Sequence, residues 1–330
     1  MKLPGILTSA PPSVGVEIAS DRVTGVSLSG PPSAWRVAAH ATERLPGGAV
    51  TPALNAVNIH DERTVTGAIR SVFDRLDARP RRVALVIPDT SAKVSLLRFE
   101  KVPAASDLDQ LIRWQVRKAA PFKPEDAQIS WMPAAPLPDG GREFLVTLAR
   151  RDIVESFERV CAGAGADAGV VDLASLNLIN AALASAGQST GGDPSTGSLR
   201  ATSRGDWLVV NVAQDYATLA IVRGTDLIFF RTRQLEAEGD LADLVHQTSM
   251  YHEDRLAGGR FARVVLSGAS GRGVDSGERL RRSLEERLGT RVESLDFRGT
   301  ATMRDRIGAG ADLLDTIAPA VGIVLRERVA

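Results

Sequence analysis

The chain is poor in several features that usually announce a function. It has a single cysteine, Cys161, in 330 residues, so no intrachain disulfide can form, and a lone thiol suits a reducing compartment. Its helical setting reads as a small buried residue, not a nucleophile. There are four histidines, His40, His60, His246 and His252. None has metal-ligand spacing: His246 and His252, six apart in a helical stretch, point in different directions, so surface or packing roles are expected. Charge of one sign is absent too, with Lys+Arg 40 against Asp+Glu 40, which leaves no global field to attract nucleic acid or an anionic membrane. No run approaches the ~18 apolar residues a membrane span needs, so no direct insertion is expected. The opening MKLPGILTSAPPS carries one lysine and an apolar run broken by Pro4 and Gly5, unlike a signal peptide. The Ser-Gly run Ser267 to Gly271 lacks nucleophile-elbow spacing, which excludes hydrolase chemistry. The mixed-sign run Arg279 to Arg287 reads as a solvated helix face. Together these absences place the protein in the cytoplasm, free or docked to something else.

What is present is an internal repeat. The segment VGVEIASDRVTGVSLSG, Val14 to Gly30, returns in altered form as LVVNVAQDYATLAIVRG, Leu208 to Gly224. At a constant offset the copies share Val16/Val210, Ala19/Ala213, Asp21/Asp215, Thr24/Thr218 and Gly30/Gly224. Each reads as a strand, a tight turn at Ser20-Asp21 or Gln214-Asp215, and a returning strand. A repeat of this kind, in a chain long enough for roughly two domains of about 150 residues, predicts a duplicated two-lobed fold.

The remaining pattern extends the duplication. Trp35 to Leu45 reads as a third strand, Glu62 to Leu76 as an amphipathic helix, and Arg82 to Pro88 as a strand buried on both faces. In the second half, strands at Trp207 to Ala213, Tyr216 to Val222 and Asp226 to Arg233 precede a helix at Leu241 to Leu256 and a strand at Ala262 to Leu266. A helix at Gly277 to Leu288, a strand at Arg291 to Phe297 and a final amphipathic helix follow. Between the halves lies a group without a counterpart. It comprises strands at Lys93 to Phe99, Ala127 to Met132 and Glu143 to Ala149, and helices at Ser106 to Ala119, with Ser106 as N-cap, and Asp152 to Ala162. A strand at Ala168 to Leu173 and a helix from Ser175 to Ala184 then return to the first lobe, and Ala186 to Gly205, rich in Gly, Ser and Thr, reads as a linker. The resulting division is 1–91 for the start of the first lobe, 92–166 for an inserted α+β subdomain, 167–200 for the return and linker, 201–312 for the second lobe, and 313–330 for a helix packing back on the first lobe.

Two lobes that each open with three antiparallel strands resemble the actin, Hsp70 and sugar-kinase superfamily, an α/β, ribonuclease H-like duplicated fold. Within it the chain resembles the PilM family of type IV pilus assembly. The resemblance rests on an ordered series: PDTSAKVSLLRFEKVPAASDLDQLIRWQVRKAAPF (Pro88 to Phe122), VVDLASLNLINAAL (Val170 to Leu183), VVLSGASG (Val264 to Gly271) and APAVGIVLR (Ala318 to Arg326). It implies ATP with Mg²⁺ held at the two hairpin turns and the adenosine loop, at Glu17, Ala19, Ser20, Asn211, Ala213, Gln214, Gly268 and Ala269.

The departures imply that this site has degenerated. The family's Asp-Ile-Gly turns stand here as Glu17-Ile18-Ala19 and Asn211-Val212-Ala213, its following basic position as Thr24, and its double glycine as Gly268-Ala269. A Cβ where backbone should approach phosphate, and an amide in place of a carboxylate, argue against a resident cofactor and against hydrolysis. The resemblance further implies a non-catalytic cytoplasmic scaffold, peripheral to the inner membrane, that binds the N-terminal cytoplasmic peptide of a PilN-like membrane protein and couples it to the pilus motor ATPases. Leu96, Leu97, Arg98 and Trp114 are the implied groove residues, against the plain alternative of core packing. Two rival readings are an actin-like ATPase and a GspL-like cytoplasmic component of type II secretion; chains of the latter kind continue into a membrane span.

Overall fold

In the computed structural model the chain is described over residues 12–31, 34–118, 120–188, 205–235, 240–269, 274–298, 301–303 and 310–329. In order, the elements of the first half are β1 (Val14–Ile18), β2 (Arg22–Ser29), β3 (Trp35–Arg44), α1 (Glu62–Arg75), β4 (Arg82–Ile87), β5 (Ala92–Phe99), α2 (Ala105–Arg117), β6 (Ala127–Pro136), β7 (Arg142–Arg150), α3 (Arg151–Gly163), β8 (Asp167–Leu173) and α4 (Ala174–Gln188). The second half holds β9 (Asp206–Val212), β10 (Tyr216–Arg223), β11 (Asp226–Gln234), α5 (Asp240–Arg255), β12 (Arg263–Ser267), α6 (Val274–Leu288), β13 (Val292–Ser294), β14 (Ala301–Met303) and α7 (Ala311–Val329).

The duplication is visible in the sheets. One has the order β14-β3-β2-β1-β4-β8 and another β11-β10-β9-β12-β13. In each, an antiparallel meander is continued by parallel strands. Small irregularities repeat as well. The register shifts between Ser27 and Leu28 in β2 and between Ile221 and Val222 in β10, the same place in the repeat. Ala19 N–H donates to Arg22 O and Ala213 N–H to Tyr216 O, both at 2.9 Å, closing equivalent two-residue turns. The hydroxyls of Thr24 and Thr42 lie 3.4 Å apart, and those of Thr218 and Thr232 lie 2.9 Å apart. Gly30 and Gly224, which follow the second strands, both have positive φ, as a residue without Cβ allows.

Local sequence explains most elements. β4 is buried along nearly its whole length, as its unbroken apolar run requires. α1 is capped by Asp61, whose carboxylate accepts from Thr64 N–H, and buries Val65, Ile69, Val72 and Phe73 on one face. The N-cap expected of Ser106 is corrected. Ala104, extended after Pro103, is the cap, and Ser106 lies inside the first turn, where its hydroxyl donates to Asp107. The helix expected to stop at Ala184 runs on to Gln188, and the rest of the expected linker, 189–204, lies outside the described residues.

The third sheet, β5-β7-β6, belongs to the insert. α2 lays Leu108, Ile112 and Val116 over Phe99, Phe144 and Val146 of this sheet, and Phe144 meets Phe99 and Trp131 edge-on. α3 carries Ile153, Phe157, Val160 and Cys161 into the first lobe's core beside α1. Burial pushes the Cys161 thiol up to about 12, which leaves it an inert packing group.

α7 comes from the end of the chain yet packs on the first lobe, against β1, β2, β4 and α4. Two glycines permit the approach: a Cβ on Gly15 would stand 2.2 Å from Ala320 O, and one on Gly322 only 1.9 Å from Asn177 O. Arg326 anchors the helix by an ion pair to the Asp172 carboxylate of β8. The short β14 adds a second-half strand to the edge of the first sheet, parallel to β3. Gly322→Ala must therefore push two backbones apart and lower stability by about 1–3 kcal/mol in urea denaturation. Gly67→Ala, in exposed helix α1 with open space around it, should raise stability by about 0.5–1 kcal/mol in the same assay.

Candidate functional site

The two hairpin turns face each other across a cleft. It is lined by Glu17 to Arg22 and Asn211 to Tyr216, together with Pro88, Ser267, Gly268, Asp315 and Pro319, and encloses about 30 Å³, room for a water or two. The duplicated hairpins bring Glu17, Ala19 and Ser20 against Asn211, Ala213 and Gln214, and β12 delivers Gly268 to the same cleft. Ala269 is a correction. It is not among the lining residues and is buried with the second lobe's core cluster. Gly268 itself is obligatory, because its φ is +82° and a Cβ there would stand 2.2 Å from Val212 O.

Behind the lining, next to Pro88 and bonded to Tyr216, lies a carboxylate that the sequence reading did not single out. Asp89, in the turn after β4, is fully buried. It accepts from Ser175 N–H at 2.9 Å, from the Ser175 hydroxyl, and from Thr218 Oγ1 at 2.7 Å. Its own N–H donates to Tyr216 Oη at 3.2 Å, and Asn211 Nδ2 donates to Ser175 Oγ at 2.9 Å. Burial raises the Asp89 pKa while the bonds from Ser175 and Thr218 oppose the shift. A second link joins α7 to the end of β12 and the residue after it, where Asp315 Oδ1 accepts from Ser267 Oγ and Gly268 N–H, each at 2.6 Å. Pro319, one turn further on, stays within the helix. A third link joins turn to turn, with Ser20 Oγ donating to Asp215 Oδ1 at 3.3 Å.

Charge in the cleft is self-contained. The Arg22 guanidinium donates to Asp21 at 3.1 Å and stands 3.7 Å from Glu17 Oε2, which has no hydrogen-bond partner. The sequence reading looked for a basic group at position 24. The structure puts one two residues earlier, on the same face of β2, and Thr24 sits directly across the ladder from Glu17. Burial lifts the Glu17 pKa from 4.5 to about 7; Arg22 pulls the other way, and Asp21, Asp315 and Asp89 add to the rise.

The donor set does not suit a magnesium nucleotide. The Asn211 amide, the Ser20 hydroxyl and the Gly268 N–H are already committed to acceptors of the chain itself. The Glu17 carboxyl is held toward its neutral form.

The four groove candidates do not share one surface. Leu97 packs into the insert's core under α2. Trp114 projects from the outer side of α2, 53% exposed, with the Lys118 ammonium 3.9 Å above its ring. Leu96 and Arg98 alternate with Leu97 and so lie on the opposite face of β5. There Leu96 pairs with Leu145, which pairs in turn with the exposed Met132, and Arg98 stands opposite Glu143. β5 is an edge strand of its sheet. The four histidines form no cluster of their own: His252 is buried, its Nε2 2.6 Å from Asp206 and its ring stacked on Phe261.

The duplicated sheets and the cleft between their hairpin turns define a protein of the actin-like ATPase fold class. The chain belongs to the family described as type IV pilus assembly protein PilM, which matches residues 15–254. Among solved structures it is similar to a PilM-PilN type IV pilus biogenesis complex, at 17% identity and a TM-score of 0.75, with 96% of this chain and 98% of that chain covered. It is also similar to a Bacteroides thetaiotaomicron protein with actin-like ATPase fold and unknown function, at 10% identity and a TM-score of 0.50, with 97% and 99% covered. No curated protein matches the chain in sequence. Among the described residues no helix is long and apolar enough to cross a membrane.

Glu17 makes the site pH-sensitive. Its folded pKa, about 7, lies above the unfolded value of 4.5, so its contribution is complete below about pH 4.5 and is lost as pH rises through 7. Glu17→Gln removes that dependence. Relative to the parent protein, the variant should gain on the order of 1–3 kcal/mol between pH 5 and pH 8, read from urea midpoints. A difference that does not change with pH would mean that Glu17 is ionised and paired throughout.

Proposed function

We propose that this chain is a cytoplasmic scaffold of type IV pilus assembly that receives the N-terminal cytoplasmic peptide of a PilN-like membrane protein and turns over no nucleotide. Membership of the PilM family carries the reading. The insert supports it, because it offers an extended peptide a recognisable seat. β5, an edge strand of its sheet, offers main-chain hydrogen bonds, and the half-exposed face bearing Leu96, Arg98 and Met132 offers apolar contact with a cation beside it. Leu97 serves by holding the strand on its own core, and Trp114 lies off this seat. Through such a peptide the protein would sit at the inner membrane without entering it, in reach of the pilus motor ATPases.

The test is a titration of the whole protein with the N-terminal peptide of a PilN-like protein encoded beside it. Binding in the micromolar range is expected. Leu96→Glu and Arg98→Glu should each weaken it by about tenfold or more, equivalent to about 1.4 kcal/mol, while Trp114→Ala stays within about threefold. No binding at high micromolar peptide would overturn the reading. Steady MgATP hydrolysis by the purified protein would overturn its non-catalytic part.

A further inference from the structure

We propose that the two lobes are latched shut by the protein's own side chains, through Asp89, in a closed state that needs no nucleotide and excludes magnesium ATP. The inference does not depend on the peptide reading and stands if that titration fails.

The geometry of the cleft carries it. Asp89 and Ser175 belong to the first lobe, at the end of β4 and the start of α4, and Asn211, Tyr216 and Thr218 belong to β9 and β10 of the second. Among them, three side-chain or main-chain hydrogen bonds cross from lobe to lobe: Thr218 to Asp89, Asp89 N–H to Tyr216, and Asn211 to Ser175. Asp89, Ser175, Asn211, Tyr216 and Thr218 are all buried. The bond from Ser20 to Asp215 and the two onto Asp315 from the loop after β12 close the flanks.

A triphosphate seated between the turns would meet the Ser20–Asp215 bond and the Asn211, Tyr216 and Gly268 groups that line the space. Moving β9 and β10 outward to admit it would also take from the Asp89 carboxylate its one donor in the second lobe and leave the Tyr216 and Asn211 groups to find new partners. Hydrogen bonds to a buried carboxyl group are costly to lose, because the group is left unsatisfied away from water. The nucleotide would recover little in return: position 211 offers an amide in place of a carboxylate, Arg22 already pairs with Asp21, and Gly268 N–H already donates to Asp315. Each substitution that weakens the nucleotide site thus belongs to, or stands beside, a bond that closes it.

Two measurements on the full chain test this. In the first, thermal unfolding and small-angle scattering are recorded with and without millimolar MgATP; neither the midpoint nor the radius of gyration should move. A nucleotide-dependent rise in the midpoint, or contraction on adding nucleotide, would overturn the proposal. In the second, amide hydrogen exchange is compared between the parent and Thr218→Val, which keeps the side-chain shape and removes the donor to Asp89. Exchange in the segments around Ser175 and Tyr216 should quicken by about tenfold or more, as expected for losing one charge-assisted hydrogen bond. Unchanged exchange there would overturn the latch. Should Thr218→Val fail to fold, Tyr216→Phe, which removes only the acceptor of Asp89 N–H, replaces it under the same criterion.

Discussion

The structure depends on one buried carboxylate. An isolated carboxylate taken out of water costs several kcal/mol, so Asp89 is tolerable only where hydrogen-bond donors converge on it. Ser175 supplies two of them from the start of α4, where helix N–H groups favour an anion, and Thr218 supplies the third from the second lobe. Neither lobe alone completes the set. Satisfying Asp89 therefore fixes the end of β4, the start of α4 and the first hairpin of the second lobe in one arrangement, and the narrow cleft between the turns follows from it.

The two copies of the hairpin have diverged in a way that makes this arrangement possible. They keep the turn, the bulge, the threonine pair and the glycine, all features of backbone shape. They differ where side chains enter the cleft. Glu17 in the first copy answers to Asn211 in the second, and Arg22 to Tyr216. The first copy holds a buried carboxyl with a guanidinium 3.7 Å away that hydrogen-bonds to Asp21, and the second presents neutral donors and acceptors that reach across the gap. Even the conserved threonines part company: Thr24 stays within its own meander, while Thr218 reaches Asp89. A symmetric frame thus carries an asymmetric contact.

Much of the frame was legible in the residues. Alternation, helical spacing and the repeated hairpin gave the meanders, the buried β4 and the helices between them, because these patterns act over a few neighbouring residues. The order of matching segments pointed to the family, and residues 15–254 match it. What the residues did not reveal was mostly long-range. Asp89 and Ser175 are separated by the whole insert, and an aspartate after a proline reads as an ordinary turn. Ala269 follows Gly268 in sequence, yet it is buried with the second lobe's core and is not among the lining residues, a difference set by packing inside that lobe. The strip from Leu96 to Arg98 reads as one surface in the sequence, but the strand's alternation divides it between two faces, and Trp114 lies on neither. β14 is three residues long and carries too little pattern to find.

The unduplicated part of the chain is tied to this latch through covalent proximity. β5 begins at Ala92, directly after the turn that holds Asp89. That turn has no slack. Asp89 is held by the second lobe on one side, while Ser91 Oγ donates at 2.7 Å to Asn58, itself buried and tying its own loop through Ala53 and Ala56. Ala92 then enters the ladder opposite Ala149. β11 of the second lobe also touches the turn, β5 and β6. A strand bonded at its root to both lobes cannot swing as a free flap; its edge and the face bearing Leu96 and Arg98 are registered against the closed body. Separation of the lobes would pull on this root first, so the surface that the insert presents is set by the same hydrogen bonds that keep the cleft shut.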